Sequence, residues 1–191
     1  MLDAARALLL ESGAGGATVE AIADLSGAPT GSIYHRFGSR DGLVARLWMR
    51  AVRRSQASFL AALEEEDPRA AALAAAQSIL EFCDEHPADA RLLVSFRRED
   101  LIRTASSGQL AEELEELNRP VETAVAALAR RLYGRATRAT LNRTLLAVFD
   151  LPYGAARRHL IAGTKLPAGL RDDLARAVTA VLEERGPGVR R

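Results

Sequence analysis

The 191 residues carry a formal net charge of +1, with 48% hydrophobic and 5% aromatic side chains. That is enough apolar content for a buried core, in an alanine-, leucine- and arginine-rich makeup that favours helix over sheet. Cys83 is the single cysteine, excluding a disulfide framework or a cysteine metal site within one chain, and no apolar run approaches the roughly twenty residues of a membrane span.

The start, Met1-Leu2-Asp3-Ala4-Ala5-Arg6, does not read as a signal peptide, so a soluble, cytoplasmic protein without a membrane partner is expected. A first helix is predicted from Leu2 to Ser12, with Ala5, Leu8 and Leu9 inward and a stop at Gly13 to Gly16. Thr18 is a suitable N-cap for a second, whose apolar stripe is Val19, Ile22 and Ala23 and whose end is Gly27. Pro29 opens a third, buried along Ile33 and Phe37, with Thr30, Ser32, Tyr34, His35 and Arg36 on the other face. Two short helices around a tight turn, the second polar and basic outside, form a helix-turn-helix. Its natural partner is double-stranded DNA.

The rest predicts six further helices. One runs from Ser39 to about Glu66, and Asp67-Pro68 opens the next, which ends before His86-Pro87. Pro87 starts a sixth through Arg103, broken at Ser106-Ser107-Gly108, and a seventh runs to Tyr133-Gly134. An eighth spans Thr137 to Ala162, with Pro152 kinking or interrupting it because no N–H is left for the carbonyl of Val148. A ninth spans Ala168 to Arg185, before Gly186-Pro187-Gly188. An alanine-rich stretch lies at Ala70 to Ala76.

The residues Thr18, Val19, Ile22, Ala23, Gly27, Gly31, Ile33, Tyr34, Phe37, Ser39, Arg40 and Leu43 together resemble the N-terminal signature of the TetR family of transcriptional regulators. Departures are small: Arg40 stands for the usual lysine, Ser26 for alanine and Ala28 for valine. The resemblance implies an all-α protein, with a three-helix DNA-binding domain over residues 1–45 and a six-helix effector and dimerisation bundle over 46–191. It further implies a ligand-responsive repressor that binds a palindromic operator as a homodimer and is released by a small-molecule effector of unknown identity. No cofactor is implied. The protein would be nucleoid-associated when bound to DNA. A short basic segment precedes helix 1 in the family, whereas this chain begins almost inside that helix: it is either shortened or a member without the arm.

The expected DNA contacts are Thr18, Pro29, Thr30, Gly31, Ser32, Tyr34, His35, Arg36 and Arg40. Gly31 lets the backbone approach the groove, Thr30, Ser32 and Arg36 suit base edges, and Tyr34, His35 and Arg40 suit the phosphate backbone. Between residues 30 and 56, Arg36, Arg40, Arg46, Arg50, Arg53 and Arg54 face only Asp41, while acids cluster at Glu64 to Asp67 and Glu112 to Glu116. A DNA-facing basic end and a distant acidic block are therefore expected, although Arg46, Arg50, Arg53 and Arg54 also read as the solvated face of a long helix. For a dimer interface, Leu141, Leu145 and Phe149 recur at helical spacing, as do Leu170, Leu174, Val178 and Val181. For an effector pocket, Trp48, Phe59, Phe82, Phe96, Phe149 and Tyr153 are the candidates, with Cys83 beside them and the fourth helix as the lever to the DNA end.

Catalysis finds no support. His35, His86 and His159 belong to no Glu-x-x-His or nucleophile-elbow pattern, and no glycine-rich phosphate loop occurs. The competing reading is a helix-turn-helix factor without an effector, organising the chromosome or recruiting partners.

Overall fold

The computed structural model describes residues 1–104 and 108–183. Among them there is helix and turn but no strand. The helices are α1 (Leu2–Gly16), α2 (Val19–Ser26), α3 (Thr30–Phe37), α4 (Arg40–Ala62), α5 (Pro68–Glu85) and α6 (Pro87–Ser95). They continue with α7 (Arg98–Thr104), α8 (Gly108–Glu116), α9 (Arg119–Tyr133), α10 (Arg138–Leu145), α11 (Leu151–Ala162) and α12 (Leu170–Glu183), with a π-helical segment, Leu146–Asp150, between α10 and α11.

The all-α expectation holds, and several caps are made by the residues anticipated for them. Thr18 accepts the Ala21 N–H at 3.1 Å, Asp67 accepts the Ala70 N–H at 2.8 Å, and Gly27 takes a left-handed conformation with φ of 65°. Helix α1 is broken at Gly13, where φ is 69°. Three expected helices are subdivided. The sixth divides at Phe96, whose backbone is extended just after Ser95 donates to the Arg91 carbonyl at 2.8 Å. The seventh divides at Leu117-Asn118 because Pro120 cannot donate to, and clashes with, the carbonyl four residues back. The eighth contains the π segment immediately before Pro152: the Leu151 N–H reaches the Leu146 carbonyl, one residue beyond α-helical reach. The expected breaks at Ser106-Ser107 and Gly186-Pro187-Gly188 lie outside the described residues.

Packing divides the chain into two units, Met1–Arg54 with His86–Asn118, and Ser55–Glu85 with Arg119–Arg191. This division of packing differs from the division of roles expected at residue 45, since α6, α7 and α8 join the N-terminal helices and the boundary falls within α4. The first unit centres on Leu9, Ile22, Ile33, Leu43, Leu47 and Leu92. It holds a fully buried carboxylate, Asp89 on α6, which accepts from Arg6 of α1 and, at 2.6 Å, from Arg54 of α4.

In the second unit α5 is the central element, packing on α9, α11, α12 and the π segment. The alanine-rich stretch is the seam. Ala71, Ala72, Ala75 and Ala76 are all buried, and their small side chains let neighbouring helices approach closely. Arg131 donates to the carbonyls of Leu63 (2.9 Å) and Glu66 (2.8 Å), satisfying groups left open past the end of α4.

This packing corrects part of the expected dimer stripe. Leu174 and Val178 are 4% and 0% exposed in the single chain, in the core of their own unit, so they cannot present a surface to a second copy. Leu141, Leu170 and Val181 are half-buried, whereas Leu145 and Phe149 are exposed. Val178→Asp should therefore unfold the second unit, at a cost of several kcal/mol for an unpaired buried charge, rather than release intact monomers. A urea titration followed by circular dichroism reads that loss directly. Burial, with Asp84 adding to it, pushes the Cys83 thiol up to about 11. Cys83 should thus resist a thiol reagent at pH 8 in the folded protein and react at once in denaturant.

Candidate nucleic-acid interface

Helix α3 owes its orientation to one buried residue. Ile33 is fully buried, Phe37 is partly so, and the intervening positions must then face outward. Gly31, Ser32, Tyr34, His35 and Arg36 are exposed, with Thr30 half-buried beside them and Pro29 exposed at the N-cap. Gly31, Ser32, His35 and Arg36 line one open depression of about 520 Å³ together with Met1. A Cβ at Gly31 would meet nothing within 4 Å, so the backbone there is open to the outside. The Arg36 guanidinium lies 5.6 Å from the centre of the Phe37 ring, which limits its sweep without covering it.

The flanking residues help to hold the helix in place. The Thr18 hydroxyl is engaged as the cap of α2, leaving its O–H free to donate. Arg40 donates through Nε to the Ala17 carbonyl at 2.6 Å and pairs with Asp41 at 3.4 Å, so it ties the start of α4 to the segment before α2. Ser39 accepts the Gly42 N–H at 3.0 Å. Gly42, which sequence reasoning left aside, has no room for a side chain: a Cβ there would sit 2.2 Å from the Phe37 carbonyl oxygen. Asp-Gly just inside a helix reads as weak helix sequence, and only the approach of α3 to α4 explains it.

The basic block is largely neutralised at home. Arg46 makes a two-pronged pair with Glu113, and Arg53 lies 3.7 Å from the same carboxylate. Arg50 bonds Asp3 at 2.7 Å, and Arg54 bonds Asp89. The expectation of a distant acidic block is corrected here: Glu113 belongs to the same unit as the arginines and answers two of them. The Arg50 guanidinium holds the Asp3 carboxyl below the ordinary carboxylate range, and Arg46 does the same for Glu113.

The expected pocket residues do not form one group. Trp48 and Phe96 belong to the first unit, and Phe59, Phe82, Phe149 and Tyr153 to the second. Phe149 is 45% exposed and stacks on Tyr153 with ring centres 5.9 Å apart, a surface pair rather than a cavity wall. A cavity of about 210 Å³ does occur in the second unit, lined by Asp67, Arg69, Leu73, Val178, Leu182 and Glu183 among others, none of them among the residues expected for a pocket.

Residues 1–47 match the family described as bacterial regulatory proteins, tetR family. Over nearly its full length the chain is similar in fold to a TetR family transcriptional regulator, PfmR, from Thermus thermophilus. That pair is 18% identical, covering 96% of this chain and 98% of the other, with a TM-score of 0.71. A transcriptional regulator from Rhodococcus sp. Rha1 is 22% identical, covering 95% of this chain and 94% of its own, with a TM-score of 0.73. No curated protein matches in sequence.

Two outcomes follow. Arg36→Ala should alter which DNA sequence is preferred, at about 1–3 kcal/mol for a lost base contact, measured by anisotropy on matched and altered duplexes. Asp3 and Glu113 both have lowered folded values, so the stability they add is present above the ordinary carboxylate range and is lost as pH falls through those lowered values. The thermal midpoint should drop below about pH 4, and Glu113→Gln should show a smaller drop over the same span.

Proposed function

With its first 47 residues matching the tetR family of bacterial regulatory proteins, we propose that the chain is a transcriptional repressor binding a palindromic operator as a homodimer. The observation that carries this reading is the exposed polar face of α3, set by the burial of Ile33. A recognition helix of eight residues reads few base pairs. Two copies related by a two-fold axis read two half-sites in successive major grooves, so their discrimination multiplies. Thr30, Ser32 and Arg36 face base edges in this reading, and Pro29, Gly31, Tyr34, His35, Thr18 and Arg40 position the helix on the backbone. Exposed Leu145, Leu146, Phe149 and Ile161 on the second unit supply an apolar surface for the second copy.

Release by a small-molecule effector completes the reading. To lower operator occupancy about a hundredfold, the effector must favour the released state by about 2.7 kcal/mol. The cavity beside Leu73, Val178 and Leu182 is a place for a small, partly apolar compound. The dispersal of the expected aromatic residues over two units favours a second reading, a helix-turn-helix factor with no effector.

Reciprocity separates the two. Titration of candidate compounds with and without saturating operator should show the inducer binding more weakly to the DNA complex by the same factor that it weakens DNA. Compounds that bind equally in both states, or none binding at all, leave the effectorless factor.

A further inference from the structure

Helices α5 and α12 pack antiparallel, and the two ends of the pair are finished differently. At one end Arg171, in the first turn of α12, bonds Asp84 at 2.8 Å and Glu81 at 3.3 Å near the end of α5. At the other end the first turns of α5 and the last turns of α12 enclose the cavity of about 210 Å³. Arg69 and Glu183 meet there at 3.8 Å, beyond hydrogen-bond length, with both side chains more than half exposed. Such a pair contributes little to holding the helices together, so both charges can turn to a ligand at small cost.

The polar atoms at this mouth are unevenly divided. Asp67 accepts the Ala70 N–H through one carboxylate oxygen and keeps the other. The Thr179 hydroxyl gives its proton to the Ala175 carbonyl at 2.9 Å, so toward the cavity it can only accept. With Glu183 these make three acceptors, against one donor group, the Arg69 guanidinium. Behind them Leu73, Val178 and Leu182 form an apolar wall. The volume exceeds the roughly 150 Å³ that encloses a benzene ring, so a branched or aromatic side chain fits. An amine alone would satisfy the acceptors and leave Arg69 without an anion. A carboxylate alone would add a third acid beside Asp67 and Glu183. An ammonium and a carboxylate on one carbon, carrying an apolar group, answer every part of the lining.

We propose that this cavity binds a free α-amino acid with an apolar side chain. Its ammonium donates to Asp67, Thr179 and Glu183, its carboxylate takes two N–H groups of Arg69 in place of the loose ion pair, and its side chain lies on Leu73, Val178 and Leu182. This inference rests on the reading of the cavity as an effector site and gives that site its ligand class.

The experiment is isothermal titration calorimetry on the full-length chain with L-leucine, L-phenylalanine, glycine, isoamylamine and 4-methylpentanoate. L-Leucine or L-phenylalanine should bind saturably at one site per chain, isoamylamine and 4-methylpentanoate at least about tenfold more weakly, and glycine not measurably. Arg69→Gln and Glu183→Gln lie at exposed positions, and circular dichroism confirms that each is folded. Each should weaken the amino acid at least about tenfold, whereas Arg69→Gln should leave isoamylamine unaffected. Ala70→Trp, also at an exposed position, should block the mouth and abolish the heat of binding. If isoamylamine binds as tightly as L-leucine, or neither apolar amino acid saturates, the ligand class is overturned. Operator anisotropy with and without saturating L-leucine tests the effector reading separately. A saturable site that leaves operator affinity unchanged keeps the amino-acid site and removes its role as effector. A fall in operator affinity that Ala70→Trp abolishes supports both.

Discussion

A carboxylate with no access to water must be answered by cations, and in this protein that demand fixes the N-terminal unit. Asp89 is 0% exposed and is held by Arg6 from α1 and Arg54 from α4. Burying such a charge unpaired costs several kcal/mol, so the three helices can separate only together with a large loss. Because α1 packs on α2 and α2 on α3, the position of α3 is inherited from this junction, while Ile33 sets which of its faces turns outward. The bond from Arg40 to the Ala17 carbonyl and the tight passage of Gly42 under Phe37 finish the job locally.

The same arginines explain why local charge counts mislead here. A block of six arginines facing one aspartate along the sequence reads as an electrostatic footprint for DNA. In space Asp3, Asp89 and Glu113 come from three other helices of the unit and answer Arg46, Arg50, Arg53 and Arg54. What reaches outward is narrower and more selective, chiefly the polar face of α3 with Arg36 and His35. Contacts of that kind depend on position more than on long-range attraction.

The helix-turn-helix was legible because its signals are local: a threonine cap, a left-handed glycine, a proline entry, and an isoleucine and phenylalanine four apart. The same holds for the opening of α5 at Asp67-Pro68 and for the disturbance ahead of Pro152. What was not legible depends on partners distant in sequence. Leu174 and Val178 share their periodicity with any interface stripe, and only the alanine seam of α5 reveals them as core. Asp89 follows Pro87 in the first turn of a helix, where an acid is ordinary, so nothing local marks it as buried. The aromatic residues proposed for a pocket were chosen by size alone, and size does not say which unit a residue joins.

Cys83 has a practical consequence of a different kind. It is the only cysteine of the chain, it is buried, and its thiol is held far from ionisation at neutral pH. The natural protein is therefore already a silent background for thiol-directed spectroscopy. A cysteine introduced at an exposed position such as Asp150 or His35 would be the sole site labelled, with no need to remove the native one and disturb the α5 core. A spin or fluorophore label there could then report on that surface directly, in an otherwise unaltered chain.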